Sequence, residues 1–252
     1  MVLRLLIFAF AASLSAQQIV TTFAGTEWVF PGDGRPALDT PLSTNLSAAV
    51  DPQGRLVFAD SLNHVVARIE PSGTVTVLAG NGLRGFSGDG GEARRASLDQ
   101  PDAVAIDKSG NIYIADRRNY RIRRVTPAGI INTVAGNGRL PSTGDGGPAT
   151  EAAVVPRNLA LDAAGNLFIA DDYNNCVRKL STNGIITTVA GTGKSTYSGD
   201  GKPARDSSFT PYAIHVDSAN RILITDTTAV QDRGQQMRHV LKTWDLGRGS
   251  GV

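Results

Sequence analysis

Three unrelated markers recur along this chain with a single period. "AG" closes a segment at Gly25, Gly80, Gly136 and Gly191, spaced 55, 56 and 55 residues apart. The Asp of "FAD", "IAD", "IAD" and "ITD" stands at Asp60, Asp116, Asp171 and Asp226, spaced 56, 55 and 55. The central Asp of "GDG" stands at Asp33, Asp89, Asp145 and Asp200, spaced 56, 56 and 55. A chain built this way repeats one supersecondary unit, and the unit decides the fold.

Each unit reads as four short strands. In the second, "AVAID" is a mostly apolar run and "DKSGN" a turn. "NIYIAD" alternates Ile112 and Ile114 with Tyr113, and "RIRRV" alternates charge with Ile122 and Val125. "TPAG" turns again, and "INTVAG" closes the unit. Runs of five or six residues with period-two alternation, joined by tight turns, predict a meander. The first turn reads "DPQGR", "DKSGN", "DAAGN" and "DSANR" in the four units. Its fourth position calls for a left-handed backbone, supplied by Gly54, Gly110, Gly165 and Asn220. Asp51, Asp107, Asp162 and Asp217 are then expected to bond the turn's own N–H groups. A meander cannot bury both faces alone. Stacked radially, each sheet covers the next, so the fold expected is an all-β propeller. A parallel β-helix has shorter repeats and lacks the hairpins.

The stretch from Gly80 to Gly136, opening "GNGLRGFSGDGGEA" and closing "INTVAG", resembles an NHL repeat of the bacterial type. The unit from Gly136 to Gly191 is nearly as close. The "GDGGPAT" connection resembles that of NHL repeats in secreted bacterial proteins and teneurin-like ectodomains. The resemblance covers residues 19 to about 226. It implies a six-bladed, TolB-like propeller, of which about four blades are present in this chain: units of about 19–80, 81–136, 137–191 and 192–242 within a propeller region of 17–242. Six such units need roughly 330 residues. Two architectures stay open. In one, "IVTTFAG", which matches a final strand, completes the last unit and closes four blades. In the other, which the family's twist favours, the chain is part of a six-bladed ring and is prone to self-association. After "RILITD" the pattern departs: "QMRHVLK" is read either as a degenerate third strand or as non-native sequence, with 243–252 an irregular tail.

The first 16 residues differ from everything after them. Arg4, the apolar run from Leu5 to about Ala12 and the small residues that follow read as a cleaved signal peptide, with cleavage after Ala16. The expectation is a secreted or periplasmic protein. No later segment is apolar enough to span a bilayer. The single cysteine, Cys176, allows no internal disulfide. A net charge of +2 with interspersed signs gives no basic face for nucleic acid.

"GFSGDGGEA" has the look of a phosphate loop. It recurs in every unit, however, and lacks the following helix with Lys and Ser or Thr. Asp33, Asp89, Asp145 and Asp200 are therefore binding candidates whose simpler role is in turns. The Asp of "IAD" and the Asn three residues on are expected to organise the second hairpin. Arg121, Arg123, Arg124, Arg178 and Lys179 read as a solvated or inter-blade charged strand. His215 replaces the Ala49, Ala105 and Ala160 of sister units on an inner strand, and is the candidate to face the channel. No catalytic residue and no metal ligand set is identified, and no cofactor is implied. The function expected is a secreted binding or scaffold module for a protein, glycan or cell-wall partner. The alternative is a propeller lyase or hydrolase, akin to the peptidyl-hydroxyglycine amidating lyases, with a metal held by histidines in the channel. N-terminal sequencing of exported protein should begin near Gln17; full-length protein retained in the cytoplasm would overturn the reading of the leader.

Overall fold

The computed structural model describes residues 30–43, 46–140, 143–196, 198, 201–227 and 240–245. The signal segment, "IVTTFAG" and Asp200 lie outside them. Among the described residues, four antiparallel sheets follow one another along the chain. The first contains β1 (Leu46–Val50), β2 (Leu56–Asp60), β3 (Val65–Ile69) and β4 (Val75–Ala79). The second contains β5 (Pro101–Ile106), β6 (Ile112–Asp116), β7 (Arg121–Val125) and β8 (Ile131–Ala135). The third contains β9 (Pro156–Leu161), β10 (Leu167–Asp171), β11 (Cys176–Leu180) and β12 (Ile186–Ala190). The fourth has β13 (Pro211–Val216), β14 (Arg221–Asp226) and β15 (Val240–Asp245). The sheets are meanders in sequence order, as propeller blades are.

The last blade has a third strand where "QMRHVLK" was read as one of two alternatives, and it departs from the sequence reading at its end. Its described part takes up the last three residues of "QMRHVLK", the first four lying outside the described residues, and it runs through Asp245 into what was read as an irregular tail. Its register is that of its sisters: Asp226 faces Val240 as Asp116 faces Arg121 and Asp171 faces Cys176.

The innermost strands stand side by side in order: β1 packs on β5, β5 on β9, and β9 on β13. No comparable packing joins β13 to β1, so the described blades form an arc of a partial propeller. Alternation along each strand divides the core between blades. On β5, Val104 packs towards the first blade, in a cluster with Val57, Ala59 and Ile114. Ala103 and Ala105 pack towards the third, with Leu159, Leu167 and Ile169. The core is thus a series of inter-blade layers, as expected where each unit buries its faces only against neighbours.

The turn aspartates do what their spacing predicts. Asp107 Oδ1 accepts from the N–H groups of Ser109 and Asn111 at 2.9 Å. Asp51, Asp162 and Asp217 make the same pair of bonds. The left-handed position is glycine with φ between 78° and 86° in three turns, and Asn220 with φ 60° in the fourth. Burial works to raise the Asp51 carboxyl, but the Arg55 N–H and guanidinium and the Gln53 N–H outweigh it and hold it below its ordinary value. This contribution is complete above the ordinary value of 3.8 and is lost as pH falls through the lowered folded value.

A second set of aspartates ties blades to connections. Asp60, Asp116, Asp171 and Asp226 end the second strand of each blade and are almost wholly buried. Each accepts from a backbone N–H of the segment entering the same blade: Ser43 at 3.2 Å, Asp99 at 2.8 Å, Val155 at 3.1 Å and Thr210 at 3.0 Å. Asn63, Asn119 and Asn174 donate to the same carboxylates, at 2.8, 2.8 and 2.7 Å. Burial pushes Asp116 up to about 6 and Asp171 up to about 7.

Arg123 and Arg178 are buried, at 0% and 1% exposure, which overturns the solvated reading of their strands. Arg123 reaches Asp89 Oδ1 at 2.8 Å, the Ser87 carbonyl at 2.9 Å and Asp116 Oδ2 at 3.4 Å. The first blade has Ala67 at this register, in an apolar cluster with Phe30 and Phe58. Arg123→Ala should therefore lower the unfolding free energy by about 3–5 kcal/mol, because it strands a buried carboxylate. In urea titrations of the two variants, Arg94→Ala, whose partner Asp33 is shared with solvent, should cost about 1 kcal/mol or less.

Candidate functional site

In the described residues the "GDG" aspartates are fastened to the outer strands. Asp33 Oδ1 accepts from the Val77 N–H at 2.8 Å, and its other oxygen pairs with Arg94. Asp89 takes Arg123 and, at 2.8 Å, the Thr133 hydroxyl. Asp145 takes the Thr188 N–H and, at 3.4 Å, Arg178. The flanking backbone pairs with the same strand, Gly90 N–H with the Ile131 carbonyl at 2.8 Å and Ile131 N–H with Gly91 at 3.0 Å. Gly88 lies against Ala96, where a Cβ would come within 2.6 Å of the methyl. Where the outer strand is described, in the first three blades, the loop thus runs along the outer edge of the blade that follows it before delivering the chain to its inner strand.

His215 does not enter the channel. Its sisters Ala105 and Ala160 face the following blade and are covered by it. His215 has their register, opposite Leu223, and is exposed on the far face of the fourth blade. Of the candidates within the described residues, Asp33, Asp89 and Asp145 are thereby held at outer strands and His215 on an inner one.

What the fold does bring together lies at the end where the inner strands begin. The residue after each buried Asp of the second strand is Ser61, Arg117 or Asp172 in the first three blades. The second residue of the inner strand is Asp102, Arg157 or Tyr212 in the last three, each at a register shift that re-aims its side chain. These six residues join across all four blades. Asp102 accepts from the Ser61 hydroxyl at 2.8 Å and from Arg157 Nη1 at 3.1 Å, and lies 3.5 Å from Arg117 Nε. Arg117 Nη2 bonds Asp172 Oδ2 at 2.6 Å. The Arg157 guanidinium lies 4.4 Å from the centre of the Tyr212 ring.

The result is a charged seam beside the propeller axis, partly shielded from water. The four charged side chains retain 14–26% exposure. Asp172 Oδ1 and Arg117 Nε are both buried with no hydrogen-bond partner among the described residues, which leaves one acceptor and one donor of the seam open. Tyr173 and Leu62 stand exposed on the adjoining turns, at 61% and 53%. The seam can bind a polar ligand through an acceptor, two guanidinium groups and a tyrosine face. Among the described residues, no three His, Cys, Asp or Glu side chains converge as a metal site, and no helix is long and apolar enough to cross a membrane.

Sequence reasoning missed the seam. The signal was present in the negative of the repeat: between "AD" and Asn, and just after the Pro of the inner strand, the units disagree with one another while their surroundings agree. A double-mutant cycle on Asp102→Ala and Arg157→Ala should give a coupling of about 0.5–1 kcal/mol that shrinks with added salt, as for a partly exposed ion pair.

The family model described as the Teneurin NHL domain matches residues 84–143. Mouse Teneurin-1 is 32% identical over 164 residues, which cover 60% of this chain but span only 6% of that protein's length. An auxiliary nutrient binding protein from Bacteroides thetaiotaomicron superimposes with a TM-score of 0.53 at 22% identity, over 71% of this chain and 44% of its own. A streptogramin B lyase superimposes with a TM-score of 0.52 at 12% identity, over 82% of this chain and 56% of its own. At such identities the likeness to these two solved structures is one of fold alone.

Proposed function

We propose that this chain, whose blades are NHL propeller repeats, is an exported binding module that engages its partner through the charged seam where its inner strands begin. One observation carries the reading: the positions that vary from blade to blade converge there, while the repeated positions are consumed by architecture. Repeats place their shared residues in the core and edges, and individual function in what differs. The mixed signs of Asp102, Arg117, Arg157 and Asp172 suit a polar partner surface with both donors and acceptors. Tyr212 and Tyr173 supply flat rings, which suit a protein or a glycan face. The sequence of the first 16 residues supports delivery outside the cytoplasm.

The test is a glycan array and a panel of purified envelope and wall components, probed with the chain and two variants. Arg157→Glu should abolish retention of whatever the chain binds while leaving its thermal midpoint within a few degrees. Asp217→Ala, in a turn at the opposite end of the blade, should leave retention intact. Retention that survives Arg157→Glu and Asp172→Arg together would remove the seam from the function.

A further inference from the structure

A cavity of about 220 Å3 lies between the first and second blades, near the β1–β2 turn and so at the end opposite the seam. Its floor is aliphatic, made by Val57, Leu78, Ile106, Ile112 and Val125, and its mouth is polar, with Asp51, Arg55 and Arg68. The internal repeat says why it exists. Val57 pairs with Ala49 on β1; the residues at this register in the next two blades are Tyr113, opposite Ala105, and Phe168, opposite Ala160. Those rings fill the corresponding inter-blade layers, Tyr113 in the core between second and third blades and Phe168 in that between third and fourth. Valine leaves the first layer short of one aromatic ring. A void of roughly 150 Å3 lined by aliphatic side chains is enough to hold benzene.

The polar mouth says which ring. Tyr113 points its hydroxyl at Asp107 Oδ2, 3.4 Å away, with Arg124 beside it. Asp51 is the first blade's counterpart of Asp107, since both open the same turn. Arg68 is the counterpart of Arg124, since each stands opposite the variable residue in the sheet. Asp51 and Arg68 both line the cavity, held in place by Arg55 and Glu70 respectively. In the third blade, Lys179 lies 6.0 Å from the Phe168 ring centre, so a cation covers the ring there as well.

We propose that the cavity between the first two blades is a binding site for a phenolic ring. The ring lies on Val57, Ile106, Ile112 and Val125 beneath the Arg68 guanidinium, and the hydroxyl donates to Asp51. The ligand replaces from solution what Tyr113 supplies within the chain, and the site is independent of the seam. The phenol belongs either to a small molecule or to a tyrosine side chain, and the probes separate the two.

The test uses the full chain with labelled isoleucine and valine methyl groups, titrated with p-cresol, toluene and N-acetyl-tyrosinamide. The p-cresol should shift the Ile106, Ile112 and Val125 methyls and leave Ile169 and Ile186 of the third blade unmoved. Toluene, lacking the hydroxyl, should bind about fivefold more weakly. Binding of the blocked tyrosine with similar strength supports a tyrosine side chain as the natural ligand; binding of p-cresol alone supports a free phenol. Val57→Tyr and Val57→Phe, which restore the missing ring, should abolish the p-cresol shifts and raise the melting temperature. Should neither variant fold, the methyl pattern of the unmodified chain stands as the deciding readout. Absence of shifts up to the solubility of p-cresol, or equal binding of toluene, would overturn the proposal.

Discussion

Everything in this arc of blades hangs on a buried carboxylate reaching for a backbone N–H. Asp60, Asp116, Asp171 and Asp226 each close the second strand and seize the segment that is about to become the innermost strand of the same blade. Without that bond the connection has no fixed point at which to turn towards the axis. With it, the Asn three residues later is positioned to bond both the carboxylate and the connection's carbonyl, as Asn119 does with Gly85 at 2.7 Å. A buried charge is tolerated only where donors surround it. In the second blade they do so completely, because Arg123 comes from the third strand to complete the set.

The same economy of small residues explains the "AG" marker. Gly80, Gly136 and Gly191 have φ between 91° and 97°, and a Cβ at any of them would lie 2.3–2.5 Å from a carbonyl oxygen of the second hairpin turn. That turn in its own right holds His64, Tyr120 and Asn175 at φ between 51° and 55°. Two left-handed positions from distant parts of the unit thus lie against each other, and the glycine is the one that must yield.

Periodicity made the blades legible, because a meander writes its strands and turns directly into spacing and turn chemistry. The charged strands were not legible in the same way. "RIRRV" gives no sign that Arg123 is buried and Arg124 is not, since the difference lies in a loop that arrives from more than thirty residues earlier. His215 was misplaced for a related reason: its alternation assigns it a face, but only the packing order of the blades says whether that face meets the axis, a neighbour or solvent. The seam was hidden because its residues share no motif. They meet only after four separate hairpins have been set around one axis, and a chain read one unit at a time does not show them together.

The path of the glycine-rich loop fixes where one unit ends and the next begins. Because residues such as Gly90 and Asp89 guard the outer strand of the blade that follows them, the piece of chain that can stand alone against edge-to-edge pairing runs from one "AG" to the next, not from one inner strand to the next. A gene segment copied in that phase carries its own edge guard with it. One copied in the phase of the sheet would leave its guard behind with its neighbour, and the raw edge of β8 or β12 would be open to any strand that met it.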